Sequence, residues 1–172
     1  PLRLEKAEVL RVHTGTISVD FPKEGLCPAN LRVGAMPLGN GAISSYVDQE
    51  GLLADTRAVQ GDQHEIVVEE SGPVRACVRI DRPYKRADGK RQVDCRTRYH
   101  FFAGLGLVKV VHEIRFSHST RDTRWQSFNY DLALRLDPKT WQVVVDGSGE
   151  AGNQTVQIEP TRETVQVASY QA

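Results

Sequence analysis

Two strand-like runs around a short glycine turn constrain this chain more than any other feature. Val93–Phe102 and Leu107–Phe116 flank Ala103-Gly104-Leu105-Gly106. Both runs alternate polar and apolar residues with a period of two, the period of a strand. Centring the turn on Gly104-Leu105 sets Arg96 opposite Glu113 and Asp94 opposite Arg115 on one face. Such opposite-charge pairs contribute a few tenths to ~1 kcal/mol each. The other face then pairs Cys95 with Ile114, Tyr99 with Val110 and Phe101 with Val108. A slip of one residue would ruin both faces together, so the register is strongly specified.

The rest of the chain reads in the same period. Val74–Ile80 precedes the hairpin as a third antiparallel strand, joined to it by Arg82–Arg91 with Asp88-Gly89 at the turn. That turn brings Arg79 near Arg98. Thr16–Phe21 is the expected first strand, ended by Pro22–Gly25. Residues 26–62 look loop-rich, with short strands at Leu31–Val33 and Ala42–Val47 and a turn at Gly39-Asn40-Gly41. His64–Glu70 is a further strand, broken at Ser71-Gly72-Pro73 because proline cannot donate to a ladder. The meander is expected to continue through Ser117–Arg124 into a strand carrying Phe128, Tyr130, Leu132, Leu134 and Leu136. Shorter strands follow at Trp141–Val145, Thr155–Ile158 and Glu163–Ala168, around the glycine-rich loop Asp146–Asn153. No amphipathic helix emerges; Leu2–Arg11 comes nearest and lacks a stop signal. The expected fold is all-β, an antiparallel β-sandwich, with a Greek-key β-barrel as the alternative. Residues 1–8 read as a linker or the end of a preceding domain, and 9–172 as a single antiparallel domain.

At 172 residues the chain is long enough to bury a real core; folding at this size hides roughly 70% of the unfolded surface. Twenty-two Lys and Arg balance 22 Asp and Glu, so no net field steers it toward nucleic acid or acidic membrane. No apolar run reaches the roughly 20 residues of a membrane span. No signal peptide is read, and the opening at Pro1 leads to the expectation of a processed protein, an excised domain or a fragment.

Three cysteines, Cys27, Cys77 and Cys95, form no zinc pattern, and neither a metal nor a cofactor is expected. Cys77 shares a face with Arg75 and Arg79, whereas Cys95 shares one with Tyr99 and Phe101, so free thiols are expected. Arg75, Arg79, Arg96, Arg98 and His100 fall together on the polar face of the central sheet. Arginines so arranged can hold carboxylates or sulfates of an acidic polysaccharide through bidentate contacts. The competing reading is that Glu69, Asp81, Asp94 and Glu113 neutralise them, or that they meet another domain. His112 faces Thr97 on the apolar side; it reads either as a cleft residue or as a core histidine bonded to Thr97. Trp125, Trp141, Tyr84 and Tyr130 can stack on sugars or pack at strand ends. Glu69 and Glu70, adjacent on a strand, are expected on opposite faces and so make a poor glycosidase pair. Asp48 and Glu50 form another acidic pair, and Asn153-Gln154-Thr155 fits the glycosylation acceptor pattern. GxSxG, Walker A and HExxH are missing from the sequence.

Three groups of segments carry a family resemblance. They are Val12-His13-Thr14-Gly15-Thr16-Ile17, Val68-Glu69-Glu70-Ser71-Gly72-Pro73-Val74-Arg75-Ala76, and Arg98-Tyr99-His100-Phe101-Phe102-Ala103-Gly104 with Val110-Val111-His112. Together, over about residues 9 to 136, they resemble the exo-rhamnogalacturonan lyase-like proteins, the PcRGLX/YetA-like family. The resemblance implies the central β-sandwich of a large secreted or cell-surface protein with an N-terminal β-barrel and a C-terminal α/α toroid. It carries over no catalytic residue. It implies a non-catalytic domain supporting a catalytic α/α partner, with acidic polysaccharide or neighbouring domains as contacts. The alternative is a structural or assembly module of a surface layer, fibre or particle, pairing with other chains through strand edges. A self-sufficient enzyme would need a convergent set of titratable groups, and the sequence assembles none.

Overall fold

A computed structural model describes residues 1–23, 28–48, 53–55, 65–85, 91–116, 125–134 and 165–171. These residues form strands and turns, with no helix among them. In chain order the strands are β1 (Arg3–Lys6), β2 (Val9–His13), β3 (Ile17–Pro22), β4 (Ala29–Val33), β5 (Met36–Asp48), β6 (Leu53–Asp55), β7 (Glu65–Ser71), β8 (Arg75–Lys85), β9 (Arg91–Phe102), β10 (Val108–Phe116), β11 (Trp125–Leu134) and β12 (Val165–Gln171).

The strands build two sheets. Eight strands form one, in the order β1-β2-β3-β4-β5-β11-β12, with β6 also paired to β5. Four form the other, in the order β10-β9-β8-β7. Every pairing is antiparallel. The sheets stack through their apolar faces, as a sandwich requires. Val12, Ile17, Val19 and Phe21 from β2 and β3 meet Ala76, Val78, Ile80, Tyr99 and Phe101 from β8 and β9. Phe21 is the central contact. Its ring lies edge-on to Tyr99 at 5.3 Å and to Phe101 at 6.0 Å. Such aromatic pairs add about 0.5–1.5 kcal/mol to the burial itself.

The β9–β10 register matches the one the charge pattern demands. Arg96 faces Glu113, Asp94 faces Arg115, Cys95 faces Ile114, Tyr99 faces Val110 and Phe101 faces Val108. Arg79 lies directly opposite Arg98 across β8 and β9. Leu2–Arg11, where the sequence lacked a helix stop signal, forms β1 and most of β2; Arg3 to Lys6 pair antiparallel with Leu10 to His13. Other expectations give way. Gly39-Asn40-Gly41 does not turn the chain. It lies inside β5, where Leu134 pairs with Gly39 and Ala133 with Gly41, so the glycines serve a bulge. The meander also stops at β10. β11 joins the other sheet, between β5 and β12. An alternating pattern marks an amphipathic strand but does not say which sheet it joins.

One end of the sandwich is clasped by backbone. Gly104 N donates to Thr14 O at 2.7 Å, Gly34 N to Thr16 O at 2.9 Å, and Ala103 N to Val74 O at 2.8 Å. Thr14, fully buried, donates its hydroxyl to Leu105 O at 3.0 Å. Thr16 Oγ1 donates to Gly104 O at 3.0 Å. Gly15 (φ 100°) and Gly104 (φ 75°) hold left-handed backbone that residues with a side chain rarely adopt. The segments that carry the family resemblance thus meet at these turns.

Candidate site on the outer face of the four-stranded sheet

The outer face of the four-stranded sheet holds the arginines singled out above. Its rows follow from the register: Arg79 beside Arg98, Asp81 beside Arg96, and Cys77 beside His100, which has Lys109 on its other side. Arg75, at the end of β8, lies opposite Phe102.

β7 supplies the acid at the centre, next to a bulge. Val68 pairs with Val78 and Glu70 with Cys77, so Glu69 is the extra residue. The bulge brings Glu69 and Glu70 to the same charged face, contrary to the alternation expected for neighbours in a strand. Glu69 then bridges two strands. Arg98 Nε donates to its Oε2 at 2.8 Å, Arg79 NH1 to its Oε1 at 2.9 Å, and Cys77 Sγ to its Oε2 at 3.5 Å. Glu70 pairs with Arg75 at 2.7 Å.

The lattice extends sideways. Arg96 grips Asp81 with two parallel bonds of 2.7 and 2.9 Å, the strong bidentate form. Arg79 Nε approaches Asp81 to 3.2 Å, without the angle of a hydrogen bond. Arg98 NH1 reaches Glu113 at 2.6 Å, and Arg115 lies 3.5 Å from the same carboxylate. The pairing is therefore diagonal: Glu113 takes Arg98, while Arg96, its direct neighbour across the ladder, turns to Asp81. Register fixes where backbones lie, and the long arginine side chains then choose partners.

The electrostatics follow from these contacts. The bond from Arg98 holds the Glu69 carboxyl well below its ordinary value, at about 2. Arg96 likewise lowers Asp81. Burial, reinforced by Glu69, pushes the Cys77 thiol up to about 11. His100 is lowered by burial and then by Arg75, Lys109 and Arg98 around it. A carboxylate held at about 2 stays charged at neutral pH and cannot serve as a general acid there. The face holds fixed charges of both signs. Arg75, His100 and Lys109 share one corner of it.

His112 projects from the inner face of β10. Its Nδ1 lies 2.9 Å from Thr97 Oγ1, and Cys95 Sγ is 3.3 Å from both ring nitrogens. Burial lowers its pKa. A core histidine bonded to Thr97 is the reading this geometry matches, and the sheet separates it from Arg75, Arg79, Arg98 and His100. Cys77 and Cys95 are both free and buried, on opposite faces as the alternation requires.

Two polar features escaped the sequence reading. Arg82, taken for part of the polar hairpin loop, is buried on the inner face of β8 opposite Cys95. In the other sheet Arg11 grips buried Asp20 with bonds of 2.6 and 2.9 Å, and Asn30 adds one of 3.1 Å. Pairing β2 with β3 about the Thr14-to-Ile17 turn would have put Arg11 opposite Asp20. Of the other sequence candidates, Cys27, Glu50, Asp88, Gly89, Trp141, Asn153 and the strands expected at Trp141–Val145 and Thr155–Ile158 lie outside the described residues. So do the side chains of Asp48, Tyr84, Trp125 and Tyr130. Among the described residues no three His, Cys, Asp or Glu side chains gather as metal ligands, and no helix is long and apolar enough to cross a membrane.

Two antiparallel sheets, an aromatic core between them and an ion-paired outer face define a β-sandwich domain. The model of the PcRGLX-like protein central beta sandwich domain family matches residues 4–146, and the chain belongs to that family of rhamnogalacturonan lyase-like proteins. No curated protein matches it.

Proposed function

We propose that this chain is a non-catalytic β-sandwich domain of a secreted or cell-surface carbohydrate-active protein. In this reading it supports a catalytic α/α domain of the same polypeptide and contacts acidic glycan at its charged sheet. The observation that carries the reading is the match to a central sandwich of lyase-like proteins. A central sandwich fits a parent with further domains on either side of it.

The outer face supports the glycan contact. Arg79 and Arg98 are already ordered by Glu69, so a ligand would spend little entropy in fixing them. Arg75 and Glu70 form a half-exposed pair that a ligand carboxylate can exchange into. His100 and Lys109 complete the corner. The test is binding of pectin-type oligosaccharides by the whole parent, alongside Arg75→Ala and His100→Ala variants. The reading expects measurable affinity that weakens in both variants. No affinity and no lyase product from the parent would sink it.

A further inference from the structure

Large apolar side chains crowd the clasped end of the sandwich. Val74 is 71% exposed, Met36 57%, Leu107 54% and Leu105 51%, the highest values among the exposed large hydrophobic residues. They stand on three neighbouring hairpin tips: β7–β8, β4–β5 and β9–β10. The tips do not move independently. Ala103 is bonded to Val74, Gly104 to Thr14 and Gly34 to Thr16. Single exposed apolar residues are ordinary, but a cluster on a rigid base marks a contact surface. A pre-ordered surface also loses little entropy on docking.

One further observation selects the occupant. Pro1 N lies 3.7 Å from the point a Cβ on Gly15 would take, so the first residue lies at this same end. We infer that this platform docks the domain preceding the sandwich in the parent polypeptide, through an apolar surface of that domain. The inference rests on the reading of the chain as a middle domain. A domain arriving at Pro1 is tethered beside the platform, at a far higher effective concentration than a second copy in solution.

Met36 is the chain's single methionine, and its oxidation by peroxide reports its access to solvent. In the wild-type parent, Met36 oxidation followed by mass spectrometry is expected to run at least tenfold slower than in the denatured parent, at every protein concentration. A rate equal to the denatured one would overturn the inference. Protection that grows with concentration would overturn it in favour of a second copy. In the parent carrying Leu105→Glu with Leu107→Glu, Met36 should oxidise at nearly the denatured rate while the circular dichroism spectrum persists. Undiminished protection in that variant would also count against the proposal. Glycan affinity does not enter these measurements, so the two readings fail separately.

Discussion

The two faces of the four-stranded sheet are built from the same strands and closed in different ways. Inward, Val78, Ile80, Tyr99 and Phe101 meet the other sheet and shed water almost completely. Outward, Arg79, Arg96 and Arg98 keep about a fifth to a quarter of their side-chain surface and are tied down by Glu69, Asp81 and Glu113. The inner face is held chiefly by contact area, which does not depend on paired charges. The outer face is held by charge, which responds to pH and salt. A face of that second kind is ordered yet exchangeable, as the proposed glycan contact requires.

The largest expected effect comes from the inner face. Phe101→Ala removes a fully buried ring that lies edge-on to Phe21. It should cost about 3–5 kcal/mol, read by urea unfolding of the chain. A loss below about 1 kcal/mol would mean that the sheets do not depend on this contact.

Glu69→Gln is the matching lesion outside. It leaves Arg79 and Arg98 facing each other across β8 and β9 without the carboxylate between them. The expected loss is about 1 kcal/mol at pH 7, the upper range for solvent-screened pairs. It should shrink further in molar salt. A loss as large as that of Phe101→Ala would erase the distinction between the faces.

The cysteines sample both faces. Cys77 and Cys95 are buried and free, so a thiol reagent at neutral pH should label both far more slowly in the folded chain than in urea. A disulfide between Cys77 and Cys95, located by peptide mass mapping of the untreated protein, would break the face assignment.

The smallest effect belongs at the rim. The Arg75–Glu70 pair is 46% and 41% exposed, so Arg75→Ala should change stability by no more than about 0.5 kcal/mol. Its effect is expected in glycan binding. A clear stability loss would make Arg75 part of the frame.

How much of this could be read in advance differs between the faces. The β9–β10 register was legible because one pairing satisfied a charged face and an apolar face at once, and no slip does so. The same logic set Arg79 beside Arg98. The acids of the lattice were legible: Glu69, Asp81 and Glu113 are among those that the charge reading sets against the arginines. The bulge was not, because alternation cannot show an inserted residue, and it is the bulge that turns Glu70 to the charged face. Nor does register disclose that Arg98 reaches diagonally to Glu113 while Arg96, opposite both Glu113 and Asp81, takes Asp81. The β10-to-β11 crossover was hidden for a related reason. Phe128 to Leu134 alternate as they would in either sheet, and only the pairing with β5 decides. Arg82 was misread because a charge beside Pro83 and Tyr84 resembles a loop, whereas β8 continues through it.

The central claim is that a buttressed carboxylate, Glu69, orders the outer arginines, and pH tests it most directly. Its folded pKa is depressed from 4.5 to about 2. Its stabilisation is therefore complete above the ordinary value and drains away as pH falls through the folded one. Urea unfolding of wild type and Glu69→Gln at matched pH values isolates that contribution. The account predicts a wild-type advantage that is constant from neutral pH to about 5, declines below about 4.5 and is largely gone near pH 2. An advantage that stays the same across the whole range would contradict it, because the charge of Glu69 would then play no part in holding the face.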